Sequence, residues 1–438
     1  MRPVVSRVGL YAVVLAAPLL VSAFQRPSDV DPFTTELATR FALLGFTILA
    51  MQFVISARIK WIERPFGLDE IFRFHKAMAV FATALLCCHP LLLAAGSGRW
   101  GLLTSFSQHA PVLIGKLALS LLLVLAVVSL FRVAFRFEFQ KWRMTHNIFA
   151  VIVLAISFAH GFTFSSELEQ TTVRVMLIAL TAFGLLAYLN HMLVTPALAR
   201  RRAYTVTQVS QETPNVWTIE LTPPAGVQVP DYKPGQFHFL TLYRGGGLPI
   251  EEHPFTISSS PAARGSVTST IKESGDYTST IGRTKPGDRA AIQGPFGRFS
   301  HVLRPNERDL VFVSGGIGIT PLMSMLRYMR DTRADTVVHL LCFNQTEQDI
   351  TFRDELSAIA SGDRPRCKVT HVLSSPGSPW QGETGFADRE KLARLVDGDM
   401  GAKSYYVCGP PVMIDIVIKA LRELGVPASR IYHERFAL

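Results

Sequence analysis

Long apolar segments separated by short polar connections fill the first 200 residues of the 438-residue chain. Each segment is near the roughly 20 residues that a helix needs to cross a bilayer. The pattern predicts six spans, at about residues 8–24, 38–57, 72–95, 112–133, 145–164 and 173–195. We therefore expect an all-α six-helix transmembrane bundle over residues 1–199, in contact with a lipid bilayer.

The pattern changes abruptly after three consecutive arginines, Arg200 to Arg202. From Tyr204 the chain shows short strand-like runs separated by Pro and Gly, which is typical of a small antiparallel β-barrel. The second domain is predicted to cover residues 200–304. Its strands are expected at Thr205–Thr207, Trp217–Leu221, Gln236–Leu242, Phe255–Ser258, Ser266–Ile271 and Arg289–Gln293.

From about Glu307 the runs alternate between strand and helix, which indicates a doubly wound parallel α/β sheet. This third domain is predicted to cover residues 305–438. We expect strands at Leu310–Ser314, Val337–Cys342, Lys368–Val372 and Tyr405–Cys408, with helices from Pro321 and Pro411.

Two of the apolar segments each carry a pair of histidines 14 residues apart, His75 with His89 and His146 with His160. On an α-helix, 14 residues fall about 40° short of four turns and rise about 21 Å. Each pair therefore lies on one helix face at two depths, where two neighbouring helices could hold two haems in bis-histidine ligation. The plainer alternative is four unrelated histidines hydrogen-bonded to other helices, but ionisable groups at this depth are costly and usually functional.

The charges of the connections predict the topology. Basic residues concentrate at the N-terminus, at residues 58–64, at 136–143 and at 200–202. The opposite set has Arg26 and Arg99 but also the acidic residues Asp29, Asp31, Glu167 and Glu169. By the positive-inside rule both termini are cytoplasmic, which puts His75 and His146 at the inner level and His89 and His160 at the outer level. The first segment also resembles a cleavable signal peptide, and this alternative stays open.

The formal net charge of +10 is explained by this topology, and no basic run interleaved with aromatics indicates a nucleic-acid partner. The five cysteines show neither zinc-site nor disulfide spacing, and three of them fall in the soluble half. A reducing, cytoplasmic compartment is therefore expected for that half.

Two stretches of the soluble half carry candidate nucleotide chemistry. In the barrel, an aromatic beside hydroxyl residues at His253–Ser259 could stack on a flavin, and Lys272 with the backbone at Gly275 and Thr278 could hold a pyrophosphate. In the α/β domain, the turn Gly315–Pro321 lies between the first strand and its helix, where glycines let the backbone approach a dinucleotide pyrophosphate. The region after the second strand has no obvious group for the ribose; Arg364 or Arg366 is a candidate.

The soluble half resembles the ferredoxin-NADP reductase superfamily, and the whole chain resembles its bacterial NADPH oxidase and ferric reductase branch. The motifs that carry the resemblance occur in the order expected of that branch: His253-Pro254-Phe255-Thr256, the stretch from Ile271 to Thr278, Gly294-Pro295-Phe296-Gly297, Gly315 to Pro321, Cys408-Gly409-Pro410 and Phe436. The implied cofactors are FAD, two b-type haems and NADPH or NADH.

The resemblance also implies roles for individual residues. The haem ligands would be His75, His89, His146 and His160. Cys408 would lie near the nicotinamide and Phe436 would cover the flavin ring until nicotinamide displaces it. The implied contacts with FAD and the dinucleotide are His253, Pro254, Phe255, Thr256, Ser258, Lys272, Gly275, Tyr277, Thr278, Gly315, Gly316, Gly318, Thr320, Pro321, Cys408, Gly409 and Pro410.

The expected function is electron transfer from cytosolic NAD(P)H through FAD and the haems to an external acceptor, across a bacterial plasma membrane. Oxygen, giving superoxide, is the first acceptor to consider; a ferric chelate or a periplasmic protein is the alternative. A different class also stays open, namely a membrane-anchored flavoreductase or a haem-binding subunit without transmembrane current.

Overall fold

The computed structural model describes residues 2–24, 32–164, 170–377 and 379–435. The chain separates into two compact units, Met1–Thr195 and Pro196–Leu438, and each is described by itself. The first unit is helical and the second contains two β-sheets.

The helices of the first unit follow the apolar segments. They are α1 (Arg2–Phe24), α2 (Phe33–Ser56), α3 (Lys60–Glu63), α4 (Leu68–Ser97), α5 (Gly101–Thr104), α6 (Ala110–Leu130), α7 (Phe139–Phe164) and α8 (Thr171–Leu189). Six of these are long and apolar enough to cross a membrane, which confirms the prediction of six spans. The last span continues beyond its predicted end, through a π-helical turn at Asn190–Val194 into α9 (Thr195–Arg201).

The most buried span is α2, so the core of the bundle is organised around it. Its residues Ile48 and Phe53 belong to a buried cluster that also contains side chains from four other spans, including Leu85 of α4 and Leu154 of α7. Small residues let the backbones approach: a Cβ on Gly45 would lie 2.7 Å from Cγ of Leu86, and one on Gly184 would lie 2.7 Å from the carbonyl oxygen of Ala50. Close packing of this kind associates helices in a bilayer, where the hydrophobic effect does not.

The first sheet of the second unit is antiparallel, with strand order β4-β3-β6-β1-β2-β5. An isolated antiparallel bridge between Ile257 and Ser269 joins the two edges, so the sheet closes into a barrel. Its interior is filled by alternate apolar residues such as Ile219, Leu221 and Leu240. The strands are β1 (Tyr204–Thr213), β2 (Val216–Thr222), β3 (Phe237–Tyr243), β4 (Glu252–Thr256), β5 (Val267–Lys272) and β6 (Arg289–Phe296).

The second sheet is parallel, with order β10-β9-β8-β7-β11-β12. Its strands are β7 (Asp309–Gly315), β8 (Val337–Asn344), β9 (Arg366–Leu373), β10 (Glu383–Thr384), β11 (Ser404–Cys408) and β12 (Ile431–Glu434). The helices are α10 (Ile319–Asp331), α11 (Arg353–Ala360), α12 (Arg389–Leu395) and α13 (Pro411–Glu423).

Helices cover both faces of this sheet, as expected for a doubly wound fold. One core joins α10 and α11 to the sheet through residues such as Leu326 and Leu356, and the other joins α12 and α13 through Leu392 and Val417. The strand order reverses between β7 and β11, and ligands of open α/β sheets bind at the carboxyl ends of strands at such a point. The two predicted nucleotide turns, after Gly315 and after Cys408, both lie there.

Candidate haem and nucleotide sites

His75 and His146, the histidines predicted for the inner level, are brought together by α4 and α7. The ring centres of His75 and His146 are 6.4 Å apart, with 62° between the ring planes. Two metal–imidazole bonds of about 2 Å each, plus about 1 Å from nitrogen to ring centre on either side, give roughly 6 Å. The separation therefore fits one iron between the two rings.

The outer pair is oriented by backbone carbonyls. Nδ1 of His89 is 2.9 Å from the carbonyl oxygen of Ala38, and Nδ1 of His160 is 2.9 Å from that of Pro111. A carbonyl only accepts, so Nδ1–H of each ring donates and each Nε2 keeps its lone pair. Metal-binding histidines typically donate their other ring N–H in this way.

The neighbours of the histidine rings bear on whether the rings are placed as ligands. Nδ1 of His146 is 3.0 Å from Oγ of Ser129, whereas the buried Nδ1 of His75 has no hydrogen-bond partner among the described residues. Gly115 leaves room for the His160 ring, because a Cβ there would lie 2.6 Å from Cε1 of that ring. Imidazole donors are standard axial ligands of haem iron, so the chemistry of the set fits haem.

Sequence reasoning missed Ser129 and Gly115, and also Trp142, a third residue beside the histidine rings. The Trp142 ring lies 5.3 Å from that of His146, and this contact could have been found from the four-residue spacing on one helix. The other two come from α6, and nothing in the local sequence links them to histidines on α7.

The flavin motif lies on β4 and is supported from the turn after β5. The rings of His253 and Tyr277 stack at 4.2 Å and 25°, and Nε2 of His253 is 2.8 Å from Oε2 of Glu251. The Arg244 guanidinium lies 5.3 Å from the centre of the Tyr277 ring. Burial raises the pKa of Tyr277 to about 12, so its phenol stays neutral. Tyr277 thus supports the His253 ring from inside the barrel.

Other predicted flavin residues divide into buried and accessible ones. Thr256 and Ser258 are buried, and the Ser258 hydroxyl lies 2.9 Å from Oγ1 of both Thr268 and Thr270, inside the barrel. Phe255, Pro254 and Lys272 are half-buried. Gly275 has a φ of +103°, which only glycine adopts readily, and a Cβ there would meet open space. This turn, which continues through Thr278, leaves its backbone accessible to a pyrophosphate.

The glycines of the dinucleotide turn have different roles. Gly316 has a φ of +52° and open space where a Cβ would be, so its backbone can approach a ligand. Gly318 packs directly on the carbonyl oxygen of Cys408, and Gly315 lies against Pro410 and Met413, so these two bring the turns after β7 and β11 together. Gly409 belongs to the same contact, since a Cβ there would lie 3.0 Å from Cα of Gly315. Thr320 and Pro321 are buried in the first turn of α10.

Cys408 is fully buried at the end of β11, and burial raises the pKa of its thiol well above the ordinary value. Its register partner on β12 is Glu434, a carboxylate at this edge that sequence reasoning missed. Only the parallel pairing of two strands distant in sequence brings these residues side by side. Phe436 lies outside the described residues.

The structure does not support Arg364 or Arg366 as ribose ligands. Arg366 begins β9 opposite Val337 at the beginning of β8, so it lies at the amino edge of the sheet, whereas the glycine turn lies at the carboxyl edge. Both arginines lie within 4.0 Å of Asp335. At the carboxyl end of β8 the structure instead brings together Glu347 and Arg353, 2.5 Å apart. Sequence reasoning did not identify Arg353, because it lies at the start of α11 and not in the stretch directly after β8.

Known protein families match one region in each half of the chain. Residues 41–157 match the family model described as ferric reductase like transmembrane component, and residues 312–419 match the oxidoreductase NAD-binding domain. The reductase component of propane 2-monooxygenase from Rhodococcus jostii is 29% identical over 53% of this chain and 62% of its own length. The gamma subunit of sulfhydrogenase 2 from Pyrococcus furiosus is 30% identical over 46% of this chain and 70% of its own length.

Among solved structures, the flavohemoglobin from Malassezia yamatoensis with bound FAD and heme aligns with a TM-score of 0.51 at 16% identity. The alignment covers 83% of this chain and 97% of that one, and at this identity it shows similarity of fold alone. Several of the curated relatives are matched over only 53 to 64% of their own length.

These findings define a multi-pass membrane oxidoreductase whose second unit is a flavin- and NAD-binding reductase. The chain joins a ferric reductase-like transmembrane component to a ferredoxin-NADP reductase-type domain, a combination consistent with the ferric reductase and NADPH oxidase-like family.

Proposed function

We propose that the protein transfers electrons from cytosolic NAD(P)H, through FAD and two b-type haems, to an acceptor outside a bacterial plasma membrane. The acceptor is oxygen, which is reduced to superoxide. The observation that carries the proposal is the orientation of His89 and His160, whose Nδ1–H groups donate to backbone carbonyls and leave Nε2 for a metal. Together with the inner pair, they supply two imidazole pairs at two depths.

When bound, FAD takes up a hydride and releases electrons singly, and haem iron carries one electron at a time. The chain's residues bind and orient these groups. Gly316 and the start of α10 present backbone N–H groups to the dinucleotide pyrophosphate, and the Gly275 turn does the same for that of FAD. His253 is held beside the flavin by Tyr277 and Glu251. No side chain is required as a general acid or base.

The domain limits proposed from the sequence are 1–199, 200–304 and 305–438, and the two soluble domains are assigned to the cytoplasm with the N-terminus. The charge distribution of the connections supports this orientation. If two histidines held each haem iron, the acceptor would be reduced without binding to the metal.

Reduction of an external ferric chelate is a second candidate, favoured by the match of residues 41–157 to a ferric reductase-like component. An anaerobic absorbance spectrum of the purified protein with FAD, before and after NADH or NADPH, tests the electron path. We expect reduced low-spin haem bands after the dinucleotide is added. On admission of air these bands should vanish, and a dye should be reduced in a reaction that superoxide dismutase inhibits. Bands that persist in air but vanish with a ferric chelate would support the second candidate. Absence of haem would overturn both and leave a membrane-anchored flavoreductase.

A further inference from the structure

The helix that begins at the dinucleotide turn is hydrogen-bonded to the chain that follows the flavin strand. Two side chains on one face of α10 make these bonds. Oγ of Ser324 donates to the carbonyl oxygen of Ser259 at 2.7 Å, and Nη1 of Arg327 donates to that of Ser258 at 2.7 Å. Both acceptors come just after Thr256, the last residue of β4. The two nucleotide sites are therefore connected through α10.

Arg327 is held in one orientation by the α/β domain. Its Nε and Nη2 donate to the two carboxylate oxygens of Glu355 at 3.0 and 2.6 Å, and its guanidinium carbon lies 4.7 Å from the centre of the Phe352 ring. Arg330 makes a second ion pair with Glu355, at 2.9 Å. The Arg327 side chain is only 15% exposed, so solvent screens this network less than an ordinary surface pair.

The Ser258 carbonyl group, which accepts the hydrogen bond from Arg327, is held in place by the barrel. The Ser258 N–H donates to the carbonyl oxygen of Thr268 at 2.9 Å, and its buried hydroxyl bonds to two threonines of β5. The carbonyl group that receives the Arg327 hydrogen bond therefore belongs to a backbone segment anchored on both sides. Displacement of Arg327 would be transmitted to α10 and the glycine turn, and the barrel would stay in place.

We propose that Arg327 is a positioning residue for hydride transfer, which sets the distance and angle between the dinucleotide turn and the flavin strand. This inference rests on the proposed function. The hydride leaves the dihydronicotinamide carbon with its electron pair and joins the flavin ring, so the dinucleotide is oxidised and the flavin reduced. Such a step needs reacting atoms about 3–3.5 Å apart, and misplacement by 1 Å can cost roughly 100-fold in rate.

Arg327→Lys is the decisive variant, because lysine keeps the charge but cannot make the bidentate pair and the third hydrogen bond together. Flavin reduction is followed anaerobically by stopped flow on the full chain in detergent, over a range of NADH and NADPH concentrations. We expect the limiting rate of flavin reduction to fall roughly 10- to 100-fold. The dissociation constant of the dinucleotide and the FAD content should stay within twofold of wild type.

Two further variants accompany Arg327→Lys, one as a second test in case Arg327→Lys folds poorly and one as a control. Ser324→Ala removes only the second connecting bond and should slow flavin reduction by a smaller factor. Arg394→Lys is the matched control, since Arg394 makes a bidentate pair with Glu383 entirely within the α/β domain. It should leave the limiting rate unchanged.

A primary deuterium isotope effect measured with 4-deuterated dinucleotide gives a readout that simple destabilisation would not move. It should rise in Arg327→Lys if the hydride step has become slower. An unchanged limiting rate with only a lower Tm would overturn the inference, as would a raised dissociation constant at unchanged rate. If wild-type flavin is not reduced by either dinucleotide, it is the proposed function that fails.

Discussion

The ring centres of His75 on α4 and His146 on α7 lie 6.4 Å apart, although the two residues are 71 positions apart in the chain. A metal between them would hold the two helices together. His89 on α4 and His160 on α7 have the same 14-residue spacing from these two histidines, and both of their rings are oriented by carbonyl groups.

His75→Ala is expected to lower the haem content from two per chain to one, because one of the two histidines proposed to hold a haem would be lost while His89 and His160 are untouched. The measurement is the haem-to-protein ratio by pyridine haemochromogen assay. His109→Ala, in an exposed connection before α6, is the control and should retain both haems. Equal haem content in the two variants would contradict the assignment.

Gly316→Ala and Gly318→Ala should have different effects. A Cβ on Gly316 meets open space but forces a left-handed φ, which costs about 1 kcal/mol and obstructs the dinucleotide. A Cβ on Gly318 overlaps the Cys408 carbonyl, and overpacking of this kind costs about 1–3 kcal/mol. Thermal unfolding and dinucleotide titration together check this: Gly316→Ala should mainly weaken binding, and Gly318→Ala should mainly lower the Tm. The reverse order would contradict these roles.

Glu347→Gln is expected to shift coenzyme preference toward NADPH. The variant would release Arg353 from its ion pair at the carboxyl end of β8, where a doubly wound fold binds the ribose. A charged hydrogen bond of about 1.5–3 kcal/mol would raise the NADPH-to-NADH ratio of kcat/KM by roughly tenfold or more. In Arg353→Gln the ratio should fall, with NADH kinetics unchanged. Identical ratios in all three proteins would show that the pair lies outside the ribose site.

Acid sensitivity of the barrel is expected from His238, which is fully buried on β3 with Nε2 2.8 Å from Oγ of Ser269. Burial lowers the pKa of His238 to about 3, against about 6.5 in an unfolded chain. Between these values the unfolded state binds the extra proton, so stability rises with pH through this window. Lowering the pH from 7 to 5 is therefore expected to reduce the free energy of unfolding by roughly 2 kcal/mol.

His238→Gln removes the titratable group, so its Tm should depend less on pH between 5 and 7 than that of the wild type. Flavin release on heating gives the measurement. His433→Gln, exposed on β12, serves as the comparison and should keep the wild-type pH dependence. A His238→Gln variant as acid-sensitive as the wild type would show that other groups dominate.

The strands and spans could largely be read from the sequence, because the periodicity of burial fixes element type. The six spans and the strand after Glu307 that ends at Gly315 are examples. Element ends were less predictable: α10 begins at Ile319, before Pro321, and the last span continues as a helix to Arg201. At these ends, capping and packing decide, and local pattern carries little information on either.

The sequence by itself determined the histidine spacing, the glycine turn and the order of the three parts, because each depends on residues close together in the chain. Tertiary structure alone decided which groups meet. Ser129 and His146, Cys408 and Glu434, and Arg327 and Ser258 come from different elements, and their distances depend on how helices and strands pack. Periodicity specifies which face of an element is buried, but the partner on that face is chosen by the packing of the whole domain.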